Sequence, residues 1–294
     1  MRLLRPRFLL PLAVVLAATA TLALAQPAPR TVPDTLNRIR TAKEIRVAFS
    51  GDSLPFSHVA ANGEPAGFAI DLCRRVIADI GRTLALPELQ TRWIVGSAAA
   101  RVAMVAGGKA DLDCANTTAS LSRMREVDFS ALVFVDSGGL MVKADAATRR
   151  LADLAGKNIG VLAGTTTEAR LDALLKQTQT NARVTRLNEG GEGIAMLESG
   201  SLDAFAGDKI KLIGLAAQGK DPQALALLPE DLSYEPLAFA LPRDDSAFRL
   251  EVDRALSRIY ASGEIERIFD RWLGSLGRPG PLLHSMYYLN TLPE

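Results

Sequence analysis

The sequence predicts an α/β fold in two lobes, each a doubly wound sheet, joined by a two-strand hinge. Three observations lead there. A strand–helix–strand–helix–strand pattern is written twice, first from Glu44 and again from Lys157. A long apolar strand follows each unit, so the chain crosses between lobes twice. About 269 residues remain after an export signal, more than one core comfortably organises.

The signal comes first. Arg2, Arg5 and Arg7 precede the apolar run "FLLPLAVVLAATATLALA", and Ala23-Leu24-Ala25 offers small residues for cleavage. Residues 1–25 are therefore expected to be removed, leaving an exported, periplasmic protein. No later stretch approaches the roughly 20 apolar residues of a membrane span. "EIRVAF" (44–49) alternates and is β-branched, so it reads as a strand. "GFAIDLCRRVIADIG" places Ala69, Leu72, Cys73, Val76, Ile77 and Ile80 on one helical face, with Gly81 as its stop. "TRWIV" (91–95) is strand, "AARVAMVAGG" a short helix, and "ADLDCA" (110–115) a third strand. The crossover rule makes such a unit a parallel sheet with helices on its faces.

The second unit runs "NIGVL", "TTTEARLDALLKQ", "RVTRL", "GEGIAMLESG" and "LDAFAG" (202–207). Between the units lies the apolar strand "DFSALVFVDSGGLMVKA". After the second unit comes "LSYEPLAFALPRDD", then two amphipathic helices. Ser246 is placed to cap the first, whose inner face is Phe248, Val252, Leu256 and Ile259. The second packs Ile265, Ile268, Phe269 and Trp272. The crossings fall near 134–139 and 233–238. Residues 34–135 with 239–275 form lobe one, 140–233 lobe two, and 276–294 a C-terminal tail.

Ligands of open α/β sheets bind beyond the carboxyl ends of the strands. Here those ends are the loops "SGDSLPFS", "CANTTASLSR", "LAGTTTE" and "AGDK". In the second, Arg123 follows Asn116, Thr117 and Thr118; its planar fork matches a carboxylate. Across the cleft, Thr165 and Thr166 open a helix whose free N–H groups favour an anion. Asp208 suits an ammonium group, or caps the helix after it. An Arg from one lobe and an Asp from the other would hold an α-amino acid by both charges. Arg101 reaches a side-chain carboxylate or is an exposed helix-start residue. The first loop supplies Ser53 and Phe56, the latter a pocket wall or a core residue.

Composition narrows the function classes. With Arg2, Arg5 and Arg7 removed, 31 basic residues face 33 acidic ones, so there is no footprint for nucleic acid. Cys73 and Cys114 either pair or stand as two small buried residues. His58 and His284 lie far apart, and no nucleophile elbow, metal-spaced cluster or phosphate loop is present, so neither cofactor nor catalytic motif is read. A monomer is expected.

Several motifs in order carry a resemblance: "SLPFSHVAANGEPAGFAIDLC", "GKADLDCANTT" with Arg123 following, "REVDFSALVFVDSGGLMVK", "LADLAGKNIGVLAGTTTE", "LESGSLDAFAGD" and "YASGEIERIFDRWLG". From about Thr35 to Gly274 the chain resembles the periplasmic solute-binding proteins of amino-acid ABC importers, and among them the glutamate/aspartate-binding subgroup. The resemblance implies a type II two-lobed fold that closes on one amino acid and delivers it to a membrane permease. By matched position Arg123 would grip the α-carboxylate, with Thr118 and the backbone around Thr165 and Thr166. Asp208 would take the α-ammonium, with the Asn116 loop contributing. The subgroup carries an Arg where this chain has Ser50, a His where it has Gly190 and a Ser where it has Ala98. Those departures remove positive charge from the side-chain pocket and enlarge it, which admits a neutral polar or bulkier ligand. Two other readings share the fold: a dehydratase of a carboxylated ring with Asp52 as its acid, and a sensor subunit reporting an amino acid to a receptor.

Overall fold

A computed structural model describes residues 33–293; the signal expected at 1–25 lies outside the described residues. The chain enters through α1 (Thr35–Ala42), which the pattern reading passed over, capped by the Asp34 carboxylate on the Asn37 N–H. β1 (Glu44–Phe49) leads into a small antiparallel sheet of β2 (Asp52–Ser53), β3 (Ser57–Val59) and β4 (Pro65–Ala66). α2 (Phe68–Thr83) runs through Gly81, the expected stop, because its buried face continues to Leu84. β5 (Gln90–Val95) and α3 (Ala98–Ala106) follow, the latter capped by Ser97. β6 is only Leu112–Asp113, although the N–H groups of Asp111 and Cys114 still bond to the Arg46 and Ala48 carbonyls.

β7 (Val127–Lys143) is the first long crossing strand. The second unit comprises β8 (Asn158–Leu162), α4 (Thr166–Gln177), β9 (Arg183–Leu187), α5 (Gly190–Ser199), β10 (Ala204–Asp208) and α6 (Lys209–Ala216). β11 (Leu225–Leu227) adds to β7, and β12 (Ser233–Pro242) is the returning strand. α7 (Ser246–Ala261) and α8 (Glu264–Leu273) complete the first lobe. Asp245, not Ser246, caps α7, because the helix already includes Ser246. One Asp245 oxygen accepts from the Phe248 N–H at 3.0 Å and the other from the Thr35 N–H at 2.9 Å. In the tail, α9 (Pro281–Leu289) puts Leu283, Met286 and Tyr287 into the first lobe's core.

Hydrogen bonding runs unbroken through both lobes in the order β5-β1-β6-β12-β7-β10-β8-β9. β1 pairs in parallel with β5 and β6, and β8 with β9 and β10. β7 and β12 are antiparallel from Val127↔Pro242 to Gly138↔Ser233, with register shifts around Ala238. Each lobe buries both faces of its part of the sheet, as alternation along the strands requires. Val47 and Phe49 face α2, α7 and α8, whereas Ala48 faces Val102 and Val105 of α3. In the second lobe Ala204 and Ala206 meet Leu171 of α4, and Phe205 meets Ile194 and Leu212 of α5 and α6. The doubly wound reading holds for both lobes. The open cysteine question closes as a disulfide: Cys73 on α2 is bonded to Cys114, their Cα atoms 6.0 Å apart. No helix among the described residues is long and apolar enough to cross a membrane.

Candidate ligand-binding cleft

The strand ends of both lobes meet around a narrow cavity lined by polar and charged side chains. Of the residues expected there, Arg101, Asn116, Thr118, Arg123, Thr165, Thr166, Asp208 and Ser53 line it. Phe56 does not. Its ring is buried 5.0 Å from Phe134 and 6.1 Å from Phe68, edge to face with each, so it is a core residue.

Arg123 lies in the single 3₁₀ turn Arg123–Arg125 beyond the Thr-rich loop. It donates from Nη1 to the Thr118 carbonyl at 2.9 Å, and no carboxylate among the described residues forms an ion pair with it. Burial pulls its pKa down, opposed by the charge of Asp113, but a guanidinium remains protonated. A half-buried cation on a cavity wall with most of its donors unused is prepared for an anion.

Arg101 is in a different condition. Its Nε donates to Asp113 at 2.8 Å, Nη1 to the Gly96 carbonyl at 3.0 Å and Nη2 to Thr117 Oγ1 at 3.1 Å. Thr117 in turn donates to the other Asp113 oxygen at 2.6 Å. Both charges of this pair are buried, so the carboxylate that Arg101 reaches is the protein's own.

Asp208 ends β10 and makes no side-chain cap for α6. It accepts from Asn116 Nδ2 at 2.8 Å and from Thr167 Oγ1 at 3.3 Å. Burial and the nearby Glu235 charge push its pKa up to about 6, against Lys211 and those two hydrogen bonds. Behind it, Glu235 on β12 stands opposite Asp136 on β7. Glu235 accepts from Thr118 at 2.6 Å and Thr166 at 2.8 Å, bringing one hydroxyl from each lobe onto the hinge. Burial, then the Asp208 charge, push Asp136 up to about 8, although it accepts N–H bonds from Ser137 and Ile210.

A further contact joins the lobes. Asp52 accepts from the Gly190 N–H at 2.7 Å and from the Ser50 hydroxyl at 3.1 Å, and pairs with Lys211 at 3.5 Å. Burial alone would raise the Asp52 pKa; Lys211 and these donors outweigh it and hold the carboxyl below its ordinary value. Burial lowers that of Lys211, against the Asp52 and Asp208 charges. The lobes approach so closely that a Cβ on Gly214 would lie 2.5 Å from the Leu54 carbonyl oxygen. The enlargement expected from Gly190 is absent at that position: Leu215 fills the space, its Cδ1 2.5 Å from where a Cβ would stand. Lys211, Glu235 and Asp136 were missed by the sequence reading. An acid in the interior of each largely apolar crossing strand was the available signal for the last two.

A cleft between two α/β lobes, bridged by hydrogen bonds from both and lined by charged side chains of both signs, defines a protein built to enclose a small solute. The chain belongs to the bacterial extracellular solute-binding proteins, family 3, which it matches over residues 45–275. It is 33% identical over 261 residues to an L-glutamate/L-aspartate-binding protein of Pseudomonas aeruginosa, covering 87% of this chain and 86% of that one. It is 29% identical to a glutamate/aspartate import solute-binding protein of Escherichia coli K12, covering 88% and 86% respectively. In fold it is similar to a substrate-binding protein of an ABC uptake transporter from Streptococcus pneumoniae, solved with bound histidine. There the TM-score is 0.75 at 20% identity, over 83% of this chain and 98% of that one. These relatives are binding proteins rather than enzymes.

Proposed function

We propose that this protein is an exported, periplasmic binding protein, monomeric, that closes on one free α-amino acid and delivers it to an ABC-type importer. The observation that carries this reading is the juxtaposition of Arg123 and Asp208. A cation with no ion-pair partner among the described residues and a carboxylate from the other lobe line the same cavity. Arg123 takes the α-carboxylate, with the backbone N–H groups at the N-terminus of α4 beside it, while the Thr118 and Thr166 hydroxyls donate to Glu235 and tie that wall to the hinge. Asp208 takes the α-ammonium, and Asn116 and Thr167 hold that carboxylate in place. Ser53 and Thr165 complete the wall. Arg101, neutralised by Asp113, supports the wall without spending its charge on the ligand.

A ligand that touches both lobes favours the closed form, because only that form makes both sets of contacts. A thermal-shift screen of residues 26–294 against the twenty amino acids and common ring carboxylates tests the reading. Ligand at 100 times its Kd should stabilise the fold by about 2.7 kcal/mol. A clear shift with one or a few amino acids is expected. A shift only with ring carboxylates, or with none of the panel, would refute it.

A further inference from the structure

The charged side chains lining the cavity are Asp52, Arg101, Arg123, Asp208 and Lys211. If the amino-acid reading is right, Arg123 and Asp208 are occupied by the ligand's α-groups, and Arg101 is already matched to Asp113. The ligand's side chain is then left with Asp52 and Lys211. Lys211 is the more informative of the two. It is 7% exposed, yet among the described residues the only hydrogen-bond partner of its ammonium is Asp52 Oδ1, at the long distance of 3.5 Å. An ammonium has three donors and no acceptor, so two remain unused in a place water scarcely reaches. Asp52 has the complementary surplus. Gly190 N–H holds one oxygen and Ser50 touches the other, while a carboxylate offers about four acceptor positions.

The pair therefore presents a donor and an acceptor side by side, with opposite charges that cancel. An anionic side chain would gain Lys211 but meet the Asp52 charge at close range. A cationic one would gain Asp52 but meet Lys211. A primary carboxamide satisfies both, its oxygen accepting from Lys211 and its NH2 donating to Asp52, with no net charge taken out of water. We propose that Asp52 and Lys211 form the side-chain subsite and select an uncharged carboxamide, the side chain of asparagine or glutamine. Because Asp52 comes from one lobe and Lys211 from the other, such a side chain bridges the lobes as the α-groups do. This assignment rests on the amino-acid reading above and departs from the glutamate and aspartate named for the two relatives described above.

The test is calorimetric titration of the full protein with glutamine, asparagine, glutamate and aspartate at pH 7.5, in wild type, Asp52→Asn and Lys211→Gln. In wild type the better amide should bind about tenfold or more tighter than its matching acid, the scale of one charge-assisted hydrogen bond. Removing the anion in Asp52→Asn should move that ratio toward the acid by about tenfold. Removing the cation in Lys211→Gln should move it the other way. The opposite signs separate a selective subsite from general damage, and the second variant decides if the first fails to fold. Wild type preferring the acid, or ratios unmoved by either substitution, overturns the subsite. If another amino acid binds and Arg123→Ala abolishes that binding, the subsite falls while the amino-acid reading stands. If no amino acid binds, both fall.

Discussion

Asp208 gives a test in which affinity and stability must move in opposite directions. Its carboxyl is pushed up to about 6 in the fold, chiefly by burial and then by Glu235, against about 3.9 in an unfolded chain. A raised carboxyl pKa means that the fold binds this proton more tightly than the unfolded chain does. Its stabilising contribution is full below pH 4 and is lost as pH rises through about 6. Two pKa units at about 1.4 kcal/mol each make that contribution about 3 kcal/mol. Ligand binding runs the other way, since the ammonium needs the ionised carboxylate. At pH 5 only about a tenth of Asp208 is ionised, so the bound amino acid should lose about tenfold in affinity relative to pH 7. The assay pairs titration calorimetry with chemical denaturation across pH 4.5–7.5, on wild type and Asp208→Asn. Asp136, pushed up to about 8, adds a slope of the same sign. Because the Asp208 charge helps hold Asp136 up, the substitution weakens that slope too and never steepens it. Affinity flat from pH 5 to 7, or a stability slope unchanged in Asp208→Asn, would refute the reasoning.

Three further outcomes are expected. Arg123→Ala should cost about 3 kcal/mol of binding, over a hundredfold in Kd, because two charge-assisted hydrogen bonds are lost; unchanged affinity by calorimetry removes Arg123 from the site. Reducing the Cys73–Cys114 bond, or replacing both residues with Ala, should lower stability by about 4 kcal/mol in denaturant, the chain-entropy value for residues 41 apart. Asp245→Ala frees two backbone N–H groups in a buried corner and should cost about 2 kcal/mol of stability, with ligand affinity within twofold of wild type as read by titration.

What could be read from the sequence follows from how local each signal is. β1 was legible to the residue, since "EIRVAF" alternates and stops at a turn. The position of Arg123 and Asp208 on the cleft wall was legible because they follow strands whose carboxyl ends must point into a cleft. Lys211 was not. In "KIKLIGLAAQG" it looks like the solvated face of a short helix, and nothing local says that α6 lies against the other lobe. The signal that it does is Gly214, and a glycine in a helix has many explanations. Arg101 was read toward a ligand because its partner, Asp113, lies twelve residues on and meets it only after the sheet forms. Phe56, beside Pro55 in a polar loop, was ambiguous because its two ring partners come from α2 and β7.

The chain's path through the lobes also fixes an order of assembly. One core holds Ile45 and Leu72 together with Phe248, Leu256, Phe269 and Met286, residues some two hundred positions apart. A chain emerging from its N-terminus can assemble the second lobe as soon as β10 and α6 are available, since those cores draw mainly on one continuous stretch. The first lobe must wait for almost the last residue, with its apolar sheet face bare meanwhile. Contacts so distant in sequence close slowly, and exposed apolar surface is where aggregation starts. In the exported reading, Cys73 and Cys114 both reach the oxidising compartment before α7 does. Their bond can therefore pin α2 to the growing sheet during the wait, making it a guardian of the half-built lobe as well as a brace of the finished one.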